Sequence, residues 1–216
     1  MSFYTLRYFD IHARAEPARV LLTLSSSDWK LEPPTWPQDK DAQPVGRLPV
    51  LIETPVDGTD AKPFILSETA AIEYYLASTK GYIYKPEDPK AIAHQLELRS
   101  HIADLYEDFV RIKYSTKETA PKNREAFKTT AGYLIKFHEN ILRENGSNGH
   151  YFGSAATLVD VYLFATITTL RTKFSDFDSD MLELLSEANA PELNRVVNAV
   201  AAEPALAAYV AQAKQV

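Results

Sequence analysis

Tyr8 closes an alternating N-terminal run and opens the segment Tyr8-Phe-Asp-Ile-His-Ala-Arg-Ala-Glu-Pro17. That stretch puts a phenol, an imidazole, a guanidinium and two carboxylates close together. In open α/β sheets, ligands bind beyond the carboxyl ends of strands, where loops lead into helix N-termini. With a strand before it and a helix after it, this loop is the first place to look for a ligand. Taken alone, Tyr8 reads as a core tyrosine closing a strand, and Lys40 and Arg47 read as solvated surface charges.

Other chemistries fall away. The chain has no cysteine, which rules out disulfides, a Cys-x-x-Cys redox pair and a zinc-thiolate site. Any thiol chemistry must use a thiol that the ligand brings. His94 and His101 lie two helical turns apart, about 10 Å on ideal geometry, too far for one metal to bridge. The Glu97, His101, Asp104 face reads as interface or solvated surface, so no metal site is expected. There is no Gly-rich phosphate loop and no Gly-x-Ser-x-Gly.

Net charge is −6. Residues 1–80 hold 8 Lys and Arg against 11 Asp and Glu, a balance of −3, and the remainder carries the same. Neither part is basic, so no nucleic-acid or anionic-membrane partner is expected. The start, MSFYTLRYF, is not a secretory leader, and Val161 to Leu170 is too short to span a bilayer. The expected location is the cytoplasm.

The elements that must position the loop follow from periodicity. Phe3 to Phe9 alternates as a strand, with Tyr4, Leu6 and Tyr8 on one side. Ala13 to Ser26 carries a helical stripe at Ala15, Ala18, Leu21 and Leu22. Trp29 to Glu32, Pro49 to Glu53 and Pro63 to Leu66 are strands, the last two joined by a turn at Val56-Asp-Gly-Thr59. A helix from Ser67 or Glu68 to about Ser78 completes a β-α-β, β-β-α order, that of a thioredoxin-like domain over 1–80.

Residues 81–89 read as a linker, and 90–216 as all helical. Leu98, Ile102, Leu105, Phe109 and Ile112 form one stripe, and Phe127, Ala131, Leu134, His138 and Ile141 another. Leu158 to Leu170 is apolar nearly all round, the pattern of a helix at the centre of a bundle. Its start can form a capping box, with the Thr157 hydroxyl accepting from the Asp160 N–H and the Asp160 carboxylate reaching back. Two alanine-rich helices, from Pro191 and from Pro204, finish the chain.

Tyr8-Phe9 followed by Ala13-Arg-Ala-Glu-Pro17 resembles the opening of tyrosine-type glutathione transferases, closest to the sigma class. The resemblance continues at Trp36-Pro-Gln-Asp-Lys40, Gly46-Arg-Leu-Pro-Val50, Glu68-Thr-Ala-Ala-Ile72 and Asp104-Leu-Tyr-Glu-Asp-Phe109, and so covers essentially the whole chain. It implies a thioredoxin-like α/β domain plus an all-α C-terminal bundle, with glutathione as co-substrate.

By this resemblance Tyr8 and Arg14 are catalytic and keep the glutathione thiol ionised. A phenol donates a hydrogen bond to an adjacent thiolate, and cations and helix N-termini lower a thiol pKa from about 8.5. Trp36, Lys40 and Arg47 would hold the glycine carboxylate. Leu48-Pro49 would be a cis step that pairs with the cysteinyl unit. Thr69 would receive the γ-glutamyl carboxylate. Glu68 stands where glutamine is usual and would take the ligand's amine. Asp108 would reach that amine across a homodimer interface, or else be a solvent-facing helix charge.

Phe9, His12, Phe109, Val110 and Lys113 match positions that border an apolar electrophile pocket. The implied reaction is conjugation of glutathione to a small apolar electrophile. A glutathione-dependent isomerase or peroxidase and a non-catalytic carrier are the alternatives, the last opposed by the presence of Tyr8. Ala13 in place of glycine and a long Thr54–Lys62 hairpin mark a divergent subgroup.

Overall fold

The computed structural model describes residues 2–56, 61–173 and 179–213. The chain divides into two compact units, Met1–Gly81 and Tyr82–Val216.

The first unit is a four-stranded mixed sheet with two helices. β1 (Ser2–Arg7), α1 (Glu16–Leu24) and β2 (Trp29–Glu32) form a parallel crossover, with Tyr4 opposite Trp29 and Leu6 opposite Leu31. β3 (Val50–Pro55) pairs antiparallel with β1, and β4 (Phe64–Ser67) antiparallel with β3, giving the order β2-β1-β3-β4. The expected turn at 56–59 lies mostly outside the described residues. α2 (Thr69–Lys80) follows β4 and packs against α1. Leu6, Leu21, Leu22, Leu51, Ile72 and Leu76 are fully buried, which removes the apolar stripe of each helix and one face of the sheet from water.

Two short 3₁₀ turns, Lys40–Ala42 and Pro44–Gly46, lie between β2 and β3 in what reads from sequence as a proline-rich loop. Prolines at element starts and glutamines at turns leave no periodic signal, so such turns are silent to pattern analysis.

The second unit is helical. Asp88 caps α3 (Pro89–Lys113) by accepting from the Lys90 N–H at 2.9 Å, and Pro89 takes a first-turn position where its missing N–H costs nothing. The stretch before α3 is tied down by Gln95. Its Oε1 accepts from the Tyr84 N–H and its Nε2 donates to the Tyr84 carbonyl, both at 2.8 Å.

α4 (Ala120–Glu144) and α5 (Leu158–Lys173) pack against α3. The α3 stripe is buried throughout; on α4 the buried run ends on Leu142, with Ile141 half-buried, as the 3.6-residue period drifts past the last i+3 step. The start of α5 departs from the expected box. Asp160 does reach back, accepting from the Thr157 N–H at 2.7 Å, but the Thr157 hydroxyl donates to that same carboxylate at 2.6 Å. The other carboxylate oxygen takes the Tyr151 N–H at 2.8 Å.

α6 (Ser179–Glu183), α7 (Pro191–Ala201) and α8 (Ala207–Ala213) complete the unit. α7 has no local side-chain cap. Glu139 of α4 supplies one, its Oε1 accepting from the Glu192 and Leu193 N–H groups at 2.8 and 2.9 Å. No helix among the described residues is long and apolar enough to cross a membrane.

Candidate functional site

β1 ends at Arg7, and Tyr8 follows at its carboxyl end, 6% exposed. The Tyr8 ring meets Phe9 edge-on at 5.5 Å, and Phe9 meets Trp36 edge-on at 5.8 Å. Three aromatic side chains thus build one wall of a cavity of about 550 Å³, within the size range of small-molecule sites.

The loop between β1 and α1 is held from beneath by the first turns of α1. Arg19, 7% exposed at its side chain, donates from Nη2 to the Phe9 carbonyl at 2.7 Å and from Nη1 to the Ile11 carbonyl at 3.1 Å. Buried Glu16 lies 3.5 Å from the same guanidinium, and its other oxygen pairs with His12 Nδ1 at 2.8 Å. Charge is tolerated in this interior because each ionic group has an opposite partner or a carbonyl.

The opposite wall comes from the chain before β3 and the start of α2. Leu48-Pro49 is cis, as the sequence implied, and Trp36-Pro37 is cis as well. Gly46 has φ +61°, and the aliphatic part of Lys40 lies 3.5 Å from where a Cβ would stand. Glycine at 46 therefore gives the left-handed turn, while the 3.5 Å approach of Lys40 is an ordinary contact that a Cβ would tolerate. Arg47 and Glu68 pair at 4.0 Å, both well exposed. Glu68 has φ +73°, a strained conformation for a side chain of this kind, and sets the entry to α2 at Thr69. No side chain caps α2.

The structure thus brings Tyr8, Arg14, Trp36, Lys40, Arg47, Leu48, Pro49, Glu68 and Thr69 around one cavity. Phe9, expected beside the electrophile, shares that cavity, and Gly46 joins it. Arg14, Lys40 and Arg47 against Glu68 leave a surplus of positive charge there, in a chain of net charge −6. Such a concavity favours an anion, and an unpaired helix N-terminus adds amide donors.

The other expected residues, His12 and those of the helical unit, stand differently. Asp108 is not a solvent-facing charge. It is buried, with one oxygen on Arg111 Nη1 and the other on Thr130 Oγ1, both at 2.6 Å. Phe109 has no exposed surface; its ring lies edge-on to Phe127 at 5.3 Å, in the core rather than on a pocket wall. Val110 is half-buried and Lys113 exposed on α3. His12 is mostly buried, with Nδ1 committed to Glu16. Sequence reasoning passed over Gly46, Glu16 and Arg19, although all three stand inside the quoted motifs or just after them.

A second polar group lies in the helical unit. His138 is buried, with Nδ1 2.6 Å from the Tyr151 hydroxyl and Nε2 3.4 Å from His101 Nδ1. Burial, with His101 nearby, pushes the His138 pKa from 6.5 down to about 3, so its ring is neutral. His94 pairs separately with Glu97 at 3.1 Å. Among the described residues no group of three or more His, Asp or Glu is placed to hold a metal.

The family model of the glutathione S-transferase C-terminal domain matches residues 103–213, just over half of the chain. The chain belongs to the glutathione S-transferase family. A relative described as probable glutathione S-transferase 6, from Caenorhabditis elegans, is 30% identical over 76% of this chain and 78% of its own length. The S-crystallin SL11 of Nototodarus sloanii is 28% identical over 97% of this chain and 96% of its own. The fold is also that of a solved sigma class GST from Fasciola hepatica, at 24% identity and a TM-score of 0.78, with 98% of this chain and 96% of that one covered. The family thus joins an N-terminal mixed sheet and a C-terminal helical unit, as the sequence resemblance implied.

Proposed function

We propose that the cavity beside Tyr8 binds glutathione and holds its thiol as a thiolate for attack on a small apolar electrophile. The observation that carries this reading is the convergence of a phenol, three cations and an uncapped helix start on one concave surface. The tripeptide has two carboxylates, one amine and one thiol, and each finds a complementary group. Lys40, Arg47 and the Trp36 indole N–H face the glycine carboxylate. Thr69 and the first amides of α2 face the γ-glutamyl carboxylate, and Glu68 takes the amine. The cis step at Leu48-Pro49 offers backbone groups to the cysteinyl unit in the manner of an added strand.

Tyr8 donates to the sulfur, and Arg14 and the α1 N-terminus add positive potential. Lowering the thiol pKa by ~2 units takes about 2.7 kcal/mol, within the range of one charge-assisted hydrogen bond and a helix dipole. Once formed, the thiolate adds to the electrophile or displaces its leaving group. No proton need be removed in that step, because the thiol proton has already passed to solvent when glutathione binds as the thiolate. Phe9 is the apolar ring beside Tyr8 and is the first candidate contact for the electrophile. The active form is a homodimer in the cytoplasm, supported by apolar surface on α4 at the exposed Tyr133 and Phe137 rings and by the absence of cysteine.

A second reading, a non-catalytic ligand-binding protein, is favoured by the likeness to a crystallin. Ultraviolet titration of bound glutathione against pH separates the two. Thiolate absorbance persisting well below the free thiol's pKa, and lost in Tyr8→Phe, supports the enzyme. Bound glutathione with an unshifted thiol supports the carrier, and no binding refutes both.

A further inference from the structure

The loop that carries Tyr8 and Arg14 has no regular backbone pairing of its own, yet its two ends must hold a phenol and a guanidinium in register with one sulfur. Toward its far end the Glu16 N–H bonds the Ala13 carbonyl at 2.9 Å. The Ile11 N–H bonds the Phe9 carbonyl at 2.9 Å, and that same carbonyl accepts from Arg19 Nη2 at 2.7 Å. Arg19 Nη1 takes the Ile11 carbonyl at 3.1 Å, while Glu16 pairs with His12 at 2.8 Å and lies 3.5 Å from Arg19. The Phe9 peptide is adjacent to Tyr8, and Glu16 stands two residues after Arg14.

We infer that Arg19, braced by Glu16 and His12, is a positioning residue for thiol ionisation: its guanidinium fork fixes the loop and so the aim of Tyr8. The inference rests on the glutathione reading above. A fork is required because one rigid plane must donate to two carbonyls two residues apart while facing a carboxylate. A lysine ammonium keeps the charge beside Glu16 but cannot span that set with the same geometry. Burial of the cluster keeps water from substituting for the lost donors. Arg19 touches no ligand in this account; it acts through the backbone of residues 9–11.

The test is the pH titration of bound glutathione in wild type, Arg19→Lys, Tyr8→Phe and the double variant, with thermal stability measured alongside. Arg19→Lys is expected to raise the thiol pKa by about one unit, a tenfold fall in thiolate at a pH below both values. In the Tyr8→Phe background the same substitution is expected to raise it much less, since the group being aimed is gone. Arg19→Lys that lowers the melting temperature but leaves the thiol pKa unchanged overturns the inference, as does an equal shift in both backgrounds. Should Arg19→Lys fail to fold, His12→Ala removes the outer brace while leaving the buried Glu16 carboxylate its Arg19 partner at 3.5 Å. It is expected to shift the thiol in the same direction by less, and no shift overturns the inference. A wild-type thiol with its ordinary pKa would sink the transferase reading itself and this inference with it. A lowered wild-type pKa that both variants leave in place would sink this inference alone.

Discussion

His138 gives the helical unit a measurable acid sensitivity. Its ring is fully buried, its two nitrogens face the Tyr151 hydroxyl and His101, and its pKa is lowered from 6.5 to about 3. The folded protein therefore keeps the ring neutral over a range in which the unfolded chain would bind a proton. Stability from this site is intact above the unfolded pKa and is lost as pH falls toward the folded one. Between pH 7 and pH 5 the unfolded chain gains about 2 kcal/mol from protonating this residue while the folded state gains almost nothing.

His138→Gln retains polar contacts at the site but removes the titration. Urea unfolding followed by far-ultraviolet circular dichroism, at pH 7 and pH 5, isolates the term because every other group is common to both proteins. The variant starts less stable, for it gives up packing and part of the bond to Tyr151. The gap is expected to close by about 2 kcal/mol on going to pH 5. Two stability curves that stay parallel over that interval would refute the claim that His138 is held neutral by burial.

Two further outcomes follow from local geometry. Gly149 has φ +87°, and a Cβ there would lie 2.9 Å from the Ala199 Cβ, so Gly149→Ala should cost about 2 kcal/mol or more in thermal unfolding through strain and overpacking. Arg47 is exposed beside an equally exposed Glu68, so Arg47→Ala should weaken glutathione binding by less than about tenfold. Calorimetry at low and high salt should show that loss shrinking as salt rises.

Much of the molecule could be read from sequence because its determinants are local. The strand Trp29–Glu32 has the expected bounds, and the α3 stripe from Leu98 to Ile112 is buried at every position named. The cavity in the first unit gathers Tyr8, Arg14, Trp36, Lys40, Arg47 and Thr69, because short motifs fix both the loops and their side chains. What escaped depends on partners remote in sequence. Asp108 looks like a surface charge until Thr130, on the next helix, turns out to donate to it. Phe109 could face a pocket or a core, and only the placement of Phe127 decides. Arg19 reads as a polar residue on an amphipathic helix, and nothing in the pattern says that its fork turns back to the carbonyls of Phe9 and Ile11.

The cap on α7 ties together two distant parts of the chain as heritable characters. Glu139 terminates the amide row of a helix that begins 52 residues later, and Ala190, where a local cap would sit, is wholly enclosed. A serine or aspartate at 190 has no room while Glu139 fills that role, and an alanine there leaves the helix start bare once Glu139 is lost. The two positions are therefore expected to change as a pair among descendants of this sequence. A chimaera that exchanges the C-terminal helices between relatives must carry residue 139 across with them.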